Sequence, residues 1–168
     1  MKFIYTIFFS IITVIGKGQD ENKLERNSFK LSLIVDENST YDIDVPTSSY
    51  FKVPNLLQIY PSEKILIEIE QVNGVIKGLK VVKNNTHPDK TIQIFFSQQE
   101  KNHKHENMLL QIKNPFKMDL SYSAKIYLLN QKKWVETSVL PIKANLMSFE
   151  TWPDIIVTMT LSDWKFIK

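Results

Sequence analysis

Hydrophobic and polar residues alternate along most of the chain after residue 28, which is the pattern of β-strands. The clearest run is 120–129, where every second residue is apolar: Leu120, Tyr122, Ala124, Ile126 and Leu128. Successive side chains of a strand point to opposite faces, so this run predicts one buried and one mostly exposed face. A shorter alternating run, 108–113, precedes it across Asn114-Pro115-Phe116-Lys117. Two such runs across a short turn predict an antiparallel hairpin.

Turn-forming residues predict two further hairpins between alternating runs. The paired runs are 29–35 with 41–45, and 63–70 with 75–82. The second pair is joined through Asn73-Gly74, and both of these residues tolerate a positive φ. Gly78 inside the following run predicts a β-bulge. The strongly polar segment 98–107 predicts an exposed hairpin loop of about ten residues.

The last run predicts a strand in which Ile155, Val157, Met159 and Leu161 share one face. At Ser162-Asp163 the alternation slips by one residue, and Trp164 and Phe166 take over the apolar positions. A slip of one residue is what a β-bulge produces. A short helix over 153–159, capped by Thr151, is the alternative, although its β-branched residues disfavour it.

Many short strands with regularly spaced turns predict an all-β fold, an immunoglobulin-like antiparallel β-sandwich, with a closed β-barrel as the alternative. A single domain is expected over residues 28–168, a length that needs no disulfide staples. The chain contains no cysteine. Residues 19–27 are polar and highly charged, which predicts a disordered lead-in.

The first 18 residues have the layout of a secretory signal peptide. A basic start, Met1-Lys2, precedes an apolar run over 3–15, and Gly16-Lys17-Gly18 places small residues before Gln19. The apolar run is shorter than the roughly 20 residues of a transmembrane helix. We therefore expect cleavage before Gln19, a secreted or periplasmic protein, and no membrane span after cleavage; an uncleaved membrane anchor is the alternative.

Charge gives no indication of a nucleic-acid partner. Removal of residues 1–18 takes away two lysines, which leaves 19 basic side chains against 18 acidic ones. Arg26 is the only arginine, so the chain is poorly equipped to bind anions through a planar guanidinium fork.

No motif for catalysis, cofactor binding or metal binding is present, so we expect a non-enzymatic protein without a cofactor or metal. The glycines form no phosphate loop, and there is no His-Glu-x-x-His sequence. His103 and His105 would share a face of an extended strand, but a metal site normally needs a third ligand. His87 and Asp89 are the only local hint of a catalytic pair. Exposed, solvated loops are the favoured interpretation of all four residues.

Large aromatic residues provide the one weak candidate for a binding surface. Trp134, Phe149 and Trp152 lie on predicted outer faces or in the proline-containing segment 149–154. Exposed aromatic rings are typical of protein-binding or carbohydrate-binding patches. The alternative is that these rings fill the core or close one end of the sandwich.

Three stretches of the chain carry a resemblance to known proteins: Leu110 to Ala124, Phe149-Glu-Thr-Trp-Pro-Asp and Leu161-Ser-Asp-Trp-Lys-Phe. They resemble small exported proteins of bacteroidete-type bacteria to which no activity is assigned, over roughly the last 60 residues. The whole mature chain resembles immunoglobulin-like and fibronectin-like sandwiches, without the Cys…Trp…Cys core of antibody domains. We expect a monomer that binds or supports an envelope protein or glycan, with a carbohydrate-binding or small-ligand-binding module as the alternative.

Overall fold

The computed structural model describes residues 24–167, and every regular element in that range is a β-strand. The first strands are β1 (Glu25–Arg26), β2 (Phe29–Asp36), β3 (Ser39–Val45), β4 (Ser48–Ser49), β5 (Phe51–Val53), β6 (Leu56–Ile59), β7 (Lys64–Val72) and β8 (Val75–Val82). The later strands are β9 (Thr91–Lys101), β10 (Lys104–Lys113), β11 (Asp119–Leu128), β12 (Lys133–Thr137), β13 (Met147–Trp152) and β14 (Ile156–Ile167). No helix in this range is long and apolar enough to cross a membrane. The predicted signal peptide and its cleavage before Gln19 lie outside the described residues.

Two five-stranded antiparallel sheets pack face to face. Sheet 1 has the strand order β13-β10-β9-β7-β8, and sheet 2 has the order β12-β11-β14-β6-β5. Both orders are open at their ends, so the alternative of a closed barrel is wrong and the predicted β-sandwich is confirmed. The core between the sheets includes fully buried side chains from both: Ile67, Ile94, Phe96, Leu110 and Ile112 from sheet 1, and Leu57, Ile59, Leu120, Met159 and Leu161 from sheet 2.

The alternation of the sequence predicts much of this core correctly. The expected apolar face of 120–129 is buried throughout. The hairpins β2–β3 and β7–β8 are present, and Asn73 and Gly74 have φ values of 52° and 77°. The pairing of β7 with β8 shifts beside Gly78, as expected for a bulge. The second predicted bulge is also confirmed, because Asp163 has a φ of 55° and Trp164 returns to the core.

The hairpin predicted across residues 114–117 is wrong. β10 pairs within sheet 1 and β11 pairs within sheet 2, so the chain crosses from one sheet to the other. The buried amide of Asn114 holds this crossing. Its Nδ2 group donates to the carbonyl oxygens of Met118, Ile142 and Lys143 at 2.9, 3.1 and 3.2 Å, and its Oδ1 accepts from the Phe116 N–H at 3.0 Å. A buried crossing needs such partners, since residues 115–118 pair with neither sheet.

The disordered lead-in predicted over residues 19–27 is wrong for the part that the structure describes. Residues 25–26 form β1, which pairs with β4. Arg26 is only 1% exposed, and its guanidinium forms a two-pronged pair with Glu63, with Nε–Oε1 at 2.6 Å and Nη2–Oε2 at 3.0 Å. The rings of Tyr50 and Tyr60 lie 4.6 and 4.9 Å from the guanidinium carbon. The single arginine is therefore a buried structural residue, and its charge is matched by a carboxylate.

The hairpin expected over residues 98–107 is present, but its loop is much shorter than the predicted ten residues, since β9 and β10 continue through the segment. Only Asn102 and His103 form the turn, with φ values of 52° and 58°. Polar composition predicted a loop here, but two residues in the left-handed region close a tight hairpin.

The face assigned to the start of the last strand is wrong in part. The 153–159 helix does not form, and β14 starts at Ile156. Ile156 and Met159 face the main core, whereas Ile155 and Val157 belong to a second, smaller cluster. The cause is a pairing irregularity between β14 and β11 at Tyr127 and Leu128, which no sequence pattern revealed.

The second cluster lies under the β2–β3 hairpin, which forms a separate two-stranded sheet. Leu31, Leu33 and Val45 pack there against Val157, with Tyr127 at the margin. One part of the outer face of sheet 2 is therefore covered by the chain itself.

Replacement of Asn114 tests how strongly the crossing contributes to stability. Asn114→Ala should lower the free energy of unfolding by about 3 kcal/mol, because it leaves several buried backbone groups without partners. Urea unfolding followed by tryptophan fluorescence measures the change. Asn84→Ala, in an exposed loop, is the matched control and should stay within about 0.5 kcal/mol. A similar small effect for Asn114→Ala would contradict the proposed role of this amide.

Candidate functional site

The three aromatic residues predicted as a binding surface do not meet in one patch. Trp152 lies on the inward side of β13 and packs against the main core. Phe149, three residues earlier on the same strand, therefore points outward from sheet 1. Trp134 neighbours Val135, which packs against the core, so Trp134 points outward from sheet 2. The sandwich places these two exposed rings on opposite outer faces.

Trp152 joins the two sheets at one side of the sandwich. Its indole Nε1 donates to the Thr137 hydroxyl of β12 at 2.8 Å, and its ring is half-buried. A partnered indole against the core is typical of a structural tryptophan. The expectation that an aromatic residue closes the sandwich therefore fits Trp152.

The open edge of sheet 1 and the segment that leads to it carry the most exposed apolar side chains of the second half of the chain. They lie along β13 and the segment before it: Leu140 at 72%, Leu146 at 57%, Met147 at 45% and Phe149 at 61% exposure. β13 is the last strand of its sheet, with β10 as its neighbour. We call this group the β13 edge surface.

The hydrogen-bond pattern shows which backbone groups of β13 are unused. The Asn114 N–H donates to the Leu146 carbonyl oxygen at 2.9 Å, so this pair belongs to the hydrogen-bonded positions of the ladder. The pairing of β10 with β13 continues without a register shift. Hydrogen-bonded positions alternate along an antiparallel pair. Alternation therefore turns the N–H and C=O groups of three residues toward the open edge: Met147, Phe149 and Thr151.

The other edges of the two five-stranded sheets carry features that discourage pairing with a further strand. β8 has a bulge and the exposed Lys77 and Lys80. β12 is five residues long and begins with Lys133. β5 is three residues long, contains Lys52 and is followed by Pro54. β13 has a regular register and neither lysine nor proline within its six residues.

A shallow depression on the outer face of sheet 1 adjoins the β13 edge surface. It has a volume of about 290 Å³ and is lined by Phe95, Gln111 and Met147 among others. Phe95 and Phe149 both stand opposite Gln111, on β9 and β13 respectively. The apolar surface thus extends from the edge strand toward the middle of the sheet.

The histidines and carboxylates considered for catalysis or metal binding lie apart from these surfaces. His105 bonds to the Gln98 amide and to the Pro153 carbonyl oxygen, at 3.0 and 2.9 Å. His87 lies 3.2 Å from a Glu68 oxygen beside a cavity of about 770 Å³ that Asp89 also lines. No group of three or more such side chains within residues 24–167 is arranged to hold a metal ion.

A second cavity, of about 430 Å³, opens at a gap in sheet 2 beside Tyr122. The ladder of β11 with β12 ends at Ala124–Thr137, and the next bridge along β11 is Leu120–Ile142. The Tyr122 ring stacks on Trp164 at 5.3 Å, and its hydroxyl has no hydrogen-bond partner among the described residues. Burial, and secondly the negative charge of Glu150, raises the pKa of Tyr122 well above its usual value.

The sequence pattern missed both the β13 edge surface and the gap. None of the predicted strands covers residues 142–154, whereas residues 147–152 form β13. The weak alternation of Met147, Phe149 and Thr151 with smaller or polar residues was the available indication. Its position at a sheet edge depends on pairing between distant segments, which periodicity does not report.

The two tryptophans should differ in their effect on stability. Trp152→Ala should lower the free energy of unfolding by about 2 kcal/mol, somewhat less than a fully buried tryptophan, whereas Trp134→Ala should change it by less than about 1 kcal/mol. Urea unfolding monitored by circular dichroism measures both. Equal losses would show that Trp134 is also a structural residue.

Tyr122→Phe should leave the free energy of unfolding at pH 7 unchanged or raise it by up to about 1 kcal/mol, since it removes an unpartnered hydroxyl. The pKa of Tyr122 is raised in the folded protein above the value of about 10 in an unfolded chain. The wild type therefore loses stability as the pH rises above about 10, and the variant should lose less. Urea unfolding at pH 7 and at about pH 11 measures the difference, with Tyr41→Phe, outside the main core, as control. An identical alkaline loss in both variants would contradict the assignment.

The chain was compared with protein-family models, with curated protein sequences and with solved structures, and none of the three comparisons finds a match. The function is therefore inferred from the β13 edge surface, the exposed aromatic rings and the cavity beside Tyr122.

Proposed function

We propose that the protein is an exported, non-enzymatic binding module that attaches to another protein of the cell envelope through the β13 edge surface. The partner supplies an extended segment that adds to β13 as a further strand of sheet 1. The observation that carries this proposal is the free main chain of Met147, Phe149 and Thr151 on a regular edge strand.

Strand addition uses both features of this edge. The unpaired N–H and C=O groups of β13 supply main-chain hydrogen bonds to any extended segment. The side chains of Met147 and Phe149 then pack beside alternate residues of the added strand. Because Phe149 is 61% exposed, its ring has considerable surface to bury in a complex.

Charge on the same face favours a partner segment that carries carboxylates. Lys113 stands directly opposite Met147, on the strand next to the open edge. Its side chain is exposed and is not within ion-pair distance of a carboxylate in residues 24–167. The expected partner segment therefore alternates apolar residues with polar ones and includes Asp or Glu.

Export is supported by the sequence of residues 1–18, which has the order of a signal peptide. The protein alone is expected to be a monomer. Self-pairing of two β13 strands would instead produce a dimer, which size-exclusion chromatography with light scattering detects.

A proline at Thr151 tests strand addition with little damage to the fold. The Thr151 N–H points to the open edge, so Thr151→Pro removes a free donor and leaves the β10–β13 ladder intact. We expect the free energy of unfolding to change by less than about 1 kcal/mol, because edge strands tolerate proline at such positions. Partner binding should be lost. Thr151→Val keeps the N–H and is the matched control.

The measurement is affinity capture with the tagged protein from the envelope fraction of the organism that makes it, followed by mass spectrometry. A partner held by the wild type and Thr151→Val, but not by Thr151→Pro, is then purified and tested for direct binding. Phe149→Lys provides a second blocking variant if Thr151→Pro proves unstable. Equal capture of the same partner by all variants would refute strand addition at β13.

A further inference from the structure

The opposite outer face, on sheet 2, carries a second set of features that the β13 edge surface does not explain. Trp134 is 43% exposed and is held edge-to-face by Tyr127, with ring centroids 5.5 Å apart at 66°. Tyr127 is itself packed under the β2–β3 hairpin. Tyr127 thus has a fixed orientation, and one face of the Trp134 ring beside it remains open to solvent.

A charged pair lies beside this ring. Glu136 is two residues from Trp134 on the same face of β12, and it stands opposite Lys125 of β11. The Lys125 Nζ and Glu136 Oε1 atoms are 3.1 Å apart, and both side chains are more than half exposed. An exposed pair of this kind adds little stability, but it presents a hydrogen-bond donor and an acceptor side by side.

The cavity at the gap in sheet 2 continues from this pair. Lys125 and Glu136 line it together with Ser123 and Ser162, and its volume of about 430 Å³ lies in the range of small-molecule sites. Leu120 and Ile142 exchange hydrogen bonds at 2.9 and 2.8 Å, so the main chain of Leu120 points away from β14, toward the side of the gap. Alternate residues of a strand point their N–H and C=O groups to the same side. The N–H and C=O groups of Tyr122 therefore face the cavity. No backbone hydrogen bond of the described residues fills this position.

We infer that this surface, from Trp134 to the gap beside Tyr122, is a binding site for an unbranched oligosaccharide. We call it the Trp134 platform. A pyranose ring presents an apolar C–H face, which stacks on an aromatic ring, and a rim of hydroxyl groups that both donate and accept. Trp134 supplies the stacking face. Lys125, Glu136 and the free main chain of Tyr122 supply donors and acceptors for the hydroxyl groups of the next sugar units.

The chemistry of this surface fits a sugar better than a peptide strand. The edge strand β12 is short and begins with Lys133, so it gives little backbone for strand addition. The side chains around the Trp134 ring are charged or hydroxylated. Phe149 has apolar neighbours, whereas the face of sheet 2 on which Glu136 and Lys125 lie provides none for Trp134. The inference rests on other residues than the proposed function does, and the two exposed rings, Trp134 and Phe149, are on opposite outer faces of the sandwich.

Binding is tested with four defined hexasaccharides: cellohexaose, maltohexaose, chitohexaose and mannohexaose. Tryptophan fluorescence and isothermal titration calorimetry of the full mature protein give the dissociation constants. At least one hexasaccharide should bind, and Trp134→Ala should weaken that binding at least about tenfold, as expected for loss of an aromatic anchor. Trp134→Phe should retain part of the affinity, since it keeps a stacking face.

Two controls separate this site from the strand-binding surface. Phe149→Ala removes an exposed aromatic ring from the other outer face and should leave the sugar affinity within about twofold. Glu136→Gln keeps the shape of the polar contact and should weaken binding less than Trp134→Ala. Failure of all four hexasaccharides to bind, or binding that Trp134→Ala leaves unchanged, would overturn the inference. Either result leaves the test of strand addition at Thr151 unaffected.

Discussion

The crossing at Asn114, held by one buried amide, takes the chain from sheet 1 to sheet 2 and decides which strands can pair. Its hydrogen bonds join the turn after β10 to the segment before β13. Because β11 lies in sheet 2, it does not pair with β10 as the second strand of a hairpin would. β13 pairs with that side of β10 instead, and it is the last strand of sheet 1.

Two different surfaces result from this arrangement. The chain returns from β12 to β13 across one side of the sandwich, so β13 keeps an open main-chain edge, and the ladder of β11 with β12 is interrupted at Tyr122. The first surface is apolar and suits an extended protein segment, while the second is polar beside an exposed ring and suits a sugar. Trp152 and Thr137 link the two sheets between them. Together, the two proposals describe a protein that connects a strand-binding partner to a glycan.

Local pattern was enough to predict elements whose burial alternates with period two. The face of 120–129, the turn at Asn73-Gly74 and the slip at Asp163 all follow from side-chain alternation or from residues that tolerate positive φ. Partner choice was not predictable in this way. Asn114-Pro115 is equally compatible with a hairpin and with a crossing between sheets, and only the buried carbonyl groups around Asn114 decide between them. The segment that contains Arg26 was predicted to be disordered because the partner of Arg26, Glu63, lies 37 residues away in the sequence.

Strand addition requires that β13 is a regular edge strand whose alternate backbone groups are free. Amide hydrogen exchange of the monomeric protein, measured residue by residue by NMR, is the most direct test. A free edge gives alternation, with slow exchange at Ser148, Glu150 and Trp152 and fast exchange at Met147, Phe149 and Thr151. Uniformly slow exchange along β13 would show that its edge is already covered, and the opposite alternation would show that its register on β10 is wrong.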